Sequence, residues 1–203
     1  MKLYKNLTTA LKEREEVRAI KLSLQTHFPL ELFDFPNLEE AYLEGECRNF
    51  PAKTQGWDKL KILSIKWSQF SGDLSPLFSL PSLENLKIIE TPIKTFILPL
   101  GKINAPLKFL SIKSCGLQKL PEEISMLTKL QEFHLPNNEL SALPFAFEAL
   151  SELRRLNLDS NSFTIFPDLI KPMKGLSHLS IDGNPFNDEE KARIQREFHI
   201  WPN

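Results

Sequence analysis

A few groups of side chains in this sequence could carry chemistry. His134, Asp159 and His178 are two imidazoles and a carboxylate, a ligand set for a surface zinc ion if adjacent strands bring them together. A solvated polar face is the competing reading, because the outer side of a strand needs polar residues and nothing in the spacing forces convergence. Cys47 and Cys115 stand 68 positions apart and match no metal-ligand or redox spacing. Carboxylate pairs that could do acid–base work occur at Glu15-Glu16, Glu39-Glu40, Glu122-Glu123 and Glu189-Glu190, but solvated charge accounts for them better. With only 7 Gly, no G-x-S-x-G and no H-E-x-x-H, the chain offers neither a phosphate cradle nor a hydrolase signature. The expectation is a non-catalytic protein that needs no cofactor.

Charge narrows the partners. The 203 residues hold 25 Lys+Arg against 26 Asp+Glu, a net charge of -1, so there is no basic excess to hold a phosphate backbone. Nucleic acid is not expected. At 41% hydrophobic residues the chain can bury a core, and the length suits one domain. No apolar run approaches the ~20 residues of a membrane span. Met1 to Lys5 lacks the apolar core of a signal peptide, although a signal removed before this numbering remains compatible with the sequence.

The elements that must position these residues come from a repeat. Aligned on apolar residues at positions one, four and six, the chain gives Val17-Ile20-Leu22, Leu38-Ala41-Leu43, Leu60-Leu63-Ile65, Leu83-Leu86-Ile88, Leu107-Leu110-Ile112, Leu130-Phe133-Leu135, Leu153-Leu156-Leu158 and Leu176-Leu179-Ile181. Successive units lie 21 to 24 residues apart. An apolar-Pro pair recurs at Phe28-Pro29, Phe50-Pro51, Leu120-Pro121, Leu143-Pro144 and Phe166-Pro167, which breaks long helices. The alternation predicts one short parallel strand per unit, apolar side chains inward. Asn138, Asn161 and Asn184 then fall where a side-chain amide can satisfy the backbone groups of the following turn, with Thr91, Cys115 and Cys47 as their substitutes in other units. A substitute at that position is a buried thiol, and Cys47 and Cys115 are placed about 14 Å apart, too far to bond.

Eight such units resemble the leucine-rich repeat, L-x-x-L-x-L-x-x-N-x-L, over nearly the whole chain. The resemblance implies an α/β solenoid with a curved parallel sheet on its concave side and short helical or 3₁₀ segments, such as 121 to 127, on its convex side. Residues 17–186 form the eight repeats, the last truncated, between caps at 1–16 and 187–203. Leu3, Leu7 and Leu11 suit an N-terminal cap helix ending near Arg14. Asn187 with Glu190 reads as a capping box opening a helix from Asp188 to Phe198. With both ends capped, no second domain is expected.

Two further stretches are similar to leucine-rich repeat proteins of pathogenic spirochaetes. They are Tyr4 to Lys12 with Val17-Arg18-Ala19-Ile20-Lys21-Leu22, and Asn184 to Ile194. That resemblance implies export, a secreted or cell-surface location and contact with host molecules, while the cysteine usage is equally compatible with the cytoplasm. It departs from the family in the units starting at Val17, Leu38 and Leu83, which change length and lack the turn Asn.

Because stacking consumes the core positions, recognition falls to the outward residues. Tyr42, Ile62, Trp67, Ile89 and Phe109 are expected on that face in consecutive units, rimmed by Glu40, Glu44, Lys66, Lys87 and Glu90. The expected function is binding of a protein partner by a monomer or weak homo-oligomer. Two alternatives stay open: binding of carbohydrate or glycosaminoglycan, and self-association as a structural module. A shift of register that buries some of these residues is the competing structural reading.

Overall fold

The computed structural model describes residues 1–99, 101 and 103–202. Among these residues nine strands form one all-parallel sheet in chain order: β1 (Leu3–Tyr4), β2 (Ala19–Leu24), β3 (Glu40–Gly45), β4 (Ile62–Trp67), β5 (Asn85–Ile89), β6 (Phe109–Lys113), β7 (Glu132–His134), β8 (Arg155–Asn157) and β9 (His178–Ser180). The register is the one the repeat requires. Ile20, Ala41, Leu63, Leu86, Leu110, Phe133, Leu156 and Leu179 lie side by side across it. From Ile20 to Leu156 all are buried, each Leu, Ile or Phe side chain adding about 1.5–3 kcal/mol of burial free energy.

Proline sets the return path. Pro29, Pro121, Pro144 and Pro167 each stand immediately before a 3₁₀ segment, at Leu30–Asp34, Glu122–Met126, Phe145–Ala149 and Asp168–Ile170. Their fixed φ starts the turn, and their missing N–H is one the segment would not use. One side chain from each segment, Leu32, Ile124, Phe147 or Ile170, is driven into the core behind the strands.

The two halves close their turns differently. In the C-terminal half the asparagines form a ladder of amides. Asn138 Oδ1 accepts from the N–H groups of Cys115 and Leu117 at 3.0 and 3.1 Å, and its Nδ2 donates to the carbonyls of Ile112 and Leu135 at 2.7 and 3.0 Å. Asn161 and Asn184 repeat the pattern one and two units on. Thr91 substitutes as expected, its hydroxyl accepting from Trp67 N–H at 2.9 Å and donating to the Ile89 carbonyl at 3.0 Å. Cys115 is likewise buried, its thiol on the Lys113 carbonyl at 3.1 Å. In the N-terminal half rings replace amides: Phe28, Phe33, Phe50, Trp57, Trp67 and Phe70 pack with centroid separations from 4.9 to 6.4 Å.

The caps are part expected, part different. At the C-terminus α2 spans Asp188–Phe198, with Asn187 Oδ1 accepting from Glu190 N–H at 2.8 Å. The Glu190 carboxylate reaches instead to the Phe166 N–H at 2.7 Å and to Arg193, tying the helix to the preceding repeat. Asn203, the expected end of this cap, lies outside the described residues. At the N-terminus there is no helix through Leu3. Leu3–Tyr4 is strand β1, and α1 covers only Leu7–Lys12. Asn6 explains the break: it is extended, and its side chain takes the Thr9 N–H at 3.0 Å, so the helix begins after it. Alternation then buries Tyr4, and Ala10 is the fully buried residue of α1.

Candidate partner-binding face

Two rows of outward side chains cross the sheet. One runs Glu40, Ile62, Asn85, Phe109, Glu132, Arg155, His178; the other runs Lys21, Tyr42, Ser64, Lys87, Ser111, His134, Asn157, Ser180. Neighbours in a row are about 4.8 Å apart, so Ile62 and Phe109, with Asn85 between them, are about 10 Å apart. The expected apolar residues therefore divide into two centres. At β3–β4, Tyr42 lies diagonal to Ile62 and its hydroxyl donates to Glu40 at 2.9 Å. Burial, then this bond, holds the Tyr42 phenol above its ordinary range. At β5–β7, the half-buried ring of Phe109 stacks on His134 with centroids 5.2 Å apart, and the Lys87 ammonium sits 5.4 Å from the Phe109 centroid. Ile89 closes β5 beside Lys113, half-buried.

Trp67 is not on this face. It is 0% exposed and packs between Phe28, Phe50 and Phe70. The outward expectation assumed that each chain turns just after the sixth repeat position, as an Asn-closed unit does. Without that Asn, β2, β3 and β4 run six residues each, and period-2 alternation carries Leu24, Gly45 and Trp67 inward in register. Gly45 makes this possible: at φ +122° it leaves the Leu24 carbonyl room that a Cβ, 2.0 Å from that oxygen, would fill. The indole Nε1 of Trp67 has no hydrogen-bond partner among the described residues, whereas that of Trp57 donates to the Leu32 carbonyl at 2.8 Å.

His134 was expected in a separate polar group, and the sheet brings it to Phe109 instead. The signal lay in the register, since Ser111 pairs with His134 one strand from Phe109. The zinc candidates do not assemble. His134 Nε2 lies 3.3 Å from a Glu132 carboxylate oxygen, His178 Nδ1 contacts the Ser177 hydroxyl, and Asp159 accepts from Ser180 Oγ, Asp182 N–H and Asn157 Nδ2. Among the described residues no group of three or more His, Cys, Asp or Glu is placed to hold a metal ion. The two free thiols are buried in different units, and burial pushes Cys115 up to about 11 and raises Cys47.

Three cations of the face lie beside carboxylates. Lys21 faces Glu44 at 3.6 Å, Lys66 meets Glu90 at 2.8 Å, and Arg155 Nε lies 3.9 Å from Glu132. Such exposed pairs contribute about 0–1 kcal/mol each to stability but cancel the positive field a polyanion would need.

A family model described as a leucine-rich repeat region matches residues 98–197. The human volume-regulated anion channel subunit LRRC8B is 29% identical over 136 residues, which cover 64% of this chain and 17% of that protein. The chain thus spans under a fifth of the length of the curated relatives it matches. Among solved structures, InlP of Listeria monocytogenes superposes with a TM-score of 0.66 at 21% identity, covering 83% of this chain and 49% of that one. The repeat domain of the type III effector XopL gives 0.66 at 20% identity, covering 83% and 70%. No helix among the described residues is long and apolar enough to cross a membrane.

Proposed function

The chain is a leucine-rich repeat protein, and from that premise we propose that it is a non-catalytic module that binds a protein partner through the outward face of its sheet. The observation that carries the reading is the Phe109–His134 stack with Lys87 beside it. It is an aromatic centre, half open to solvent, near the middle of a face on which Lys21, Lys66 and Arg155 each lie beside a carboxylate. Burial of such a ring in a complementary pocket, with paired charges at the rim setting orientation, is how a few residues dominate an interface. Tyr42 and Ile62 form a second anchor on the same face. Export and contact with a host surface protein, implied by the spirochaete resemblance, belong to this proposal.

A glycosaminoglycan is the less favoured ligand, because Lys21, Lys66 and Arg155 each sit beside a carboxylate. The test is a panel of purified extracellular host proteins and immobilised heparin, probed with wild type and Phe109→Ala at low and physiological salt. The proposal expects a protein hit that weakens at least tenfold in Phe109→Ala and varies little with salt. Heparin binding that falls steeply with salt and ignores Phe109 would overturn it.

A further inference from the structure

The sheet ends at β9, and the repeat shows what that end exposes. In β8, the N–H of Arg155 and the carbonyl of Asn157 face β7, bonded to Gln131 and Leu135. The Arg154 carbonyl and the Leu158 N–H face β9, bonded to His178 and Ser180. Strand alternation places both backbone groups of Leu156 on that same side. Moved on by one 23-residue unit, these become the Ser177 carbonyl, both groups of Leu179 and the Ile181 N–H. β9 is the last strand among the described residues, so the four lie on the sheet edge, with Ile181 itself buried.

The side chains at this edge are open too. Leu153 and Leu156 are buried at 1% and 2%, but their counterparts Leu176 and Leu179, with Met173, are only partly buried. Helix α2 seals the core near Phe166, Ile181 and Ile194 and leaves these leucines only partly covered. Exposed strand edges are ordinarily blunted by lysine, proline or a bulge. At the other end β1 is two residues long between Lys2 and Lys5. From Ser177 to Ile181 there is neither Lys, Arg, Asp nor Glu, and no Pro.

We propose that β9 pairs edge to edge, antiparallel, with β9 of a second copy of this chain, with Leu179 on the two-fold axis. The edge is self-complementary in that register. Leu179, which is only partly buried, exchanges both of its backbone bonds with the second Leu179. The half-open Leu176, Leu179 and Met173 of one copy then cover those of the other, in an isologous contact that closes on itself. The outward binding face stays free, so this pairing presents two copies of that face on one continuous sheet.

The experiment reads mass and crosslinking. Sedimentation velocity of wild type between about 10 µM and 1 mM is expected to show a monomer–dimer equilibrium, as suits a small interface. Leu179→Lys is expected to weaken association at least tenfold, with the far-ultraviolet dichroism of the fold kept. Leu179→Cys places two Cβ atoms across a pair whose Cα atoms are about 5.5 Å apart and is expected to form a disulfide-linked dimer on mild oxidation. The native thiols are buried and do not compete, and Ser111→Cys on central β6 is the control. A wild type monomeric over the whole range, or equal crosslinking of Leu179→Cys and Ser111→Cys, overturns the proposal. Equally, a dimer that persists in Leu179→Lys assigns association to another surface and overturns it.

Discussion

Replacing each buried tryptophan by phenylalanine isolates one hydrogen bond. Trp57 and Trp67 are both fully buried in the same aromatic cluster, and either substitution removes the same atoms, at a packing cost of about 1 kcal/mol. They differ at the indole nitrogen. Trp57→Phe strands the Leu32 carbonyl, which accepts from Nε1 at 2.8 Å, and an orphaned buried acceptor costs roughly 1–3 kcal/mol more. Trp67→Phe strands nothing and removes a donor that was already unpaired. The expected losses are about 2–4 kcal/mol for Trp57→Phe and at most about 1 kcal/mol for Trp67→Phe. Urea titration followed by far-ultraviolet circular dichroism measures both, provided the slopes match. Trp67→Ala sets the scale, with an expected loss of about 3–5 kcal/mol. Equal costs for the two phenylalanine variants would refute the hydrogen-bond reasoning. A Trp67→Ala protein as stable as wild type would refute the burial itself.

Other perturbations follow the same logic. Asn161→Ala removes the acceptor for Leu140 N–H and the donor to the Leu135 and Leu158 carbonyls, and is expected to cost at least about 3 kcal/mol in the same titration. The Cys115 thiol, raised to about 11 by burial, should react with a thiol reagent at pH 8 only as fast as the protein opens, and far faster in urea. Its linkage has a definite sign: the unfolded thiol ionises first, so the Cys115 contribution is full below the unfolded pKa near 9 and is lost as pH rises towards 11. At the C-terminal cap, Arg193 lowers the pKa values of Glu190 and Asp168, and Lys171 lowers that of Glu197. These carboxylates stabilise the cap above their unfolded pKa values, and the stabilisation is lost as pH falls through the lowered ones. Amide exchange in α2 should therefore accelerate in acid, and Glu190→Gln should reproduce part of that acceleration at neutral pH.

The sequence carried the strand register wherever the six-residue pattern was followed by asparagine, because that side chain marks where alternation stops. Units closed by Asn138, Asn161 and Asn184 therefore read directly, as did α2, whose start is fixed by Asn187. Trp67 was misread because nothing in the local pattern says that a strand runs two residues longer. That information sits in neighbouring units, where Leu24 and Gly45 share its register. The N-terminal helix was overextended for a related reason. Leu3 keeps the helical spacing with Leu7 and Leu11, but Asn6 caps and β2 offers an edge, and both outweigh periodicity. On the binding face, outward positions were legible, while the pairing of Phe109 with His134 needed the lateral register that only stacking supplies.

Strand order equal to chain order has a mechanical consequence. Each strand bonds only to the strands before and after it in sequence, so tension applied at two points passes in series through every unit between them. A partner seated on both Tyr42 and His134 would join β3 to β7 in parallel with that series. The intervening strands could then separate only if the partner let go, and the bound molecule would act as a brace whose grip is set by the weakest link it spans.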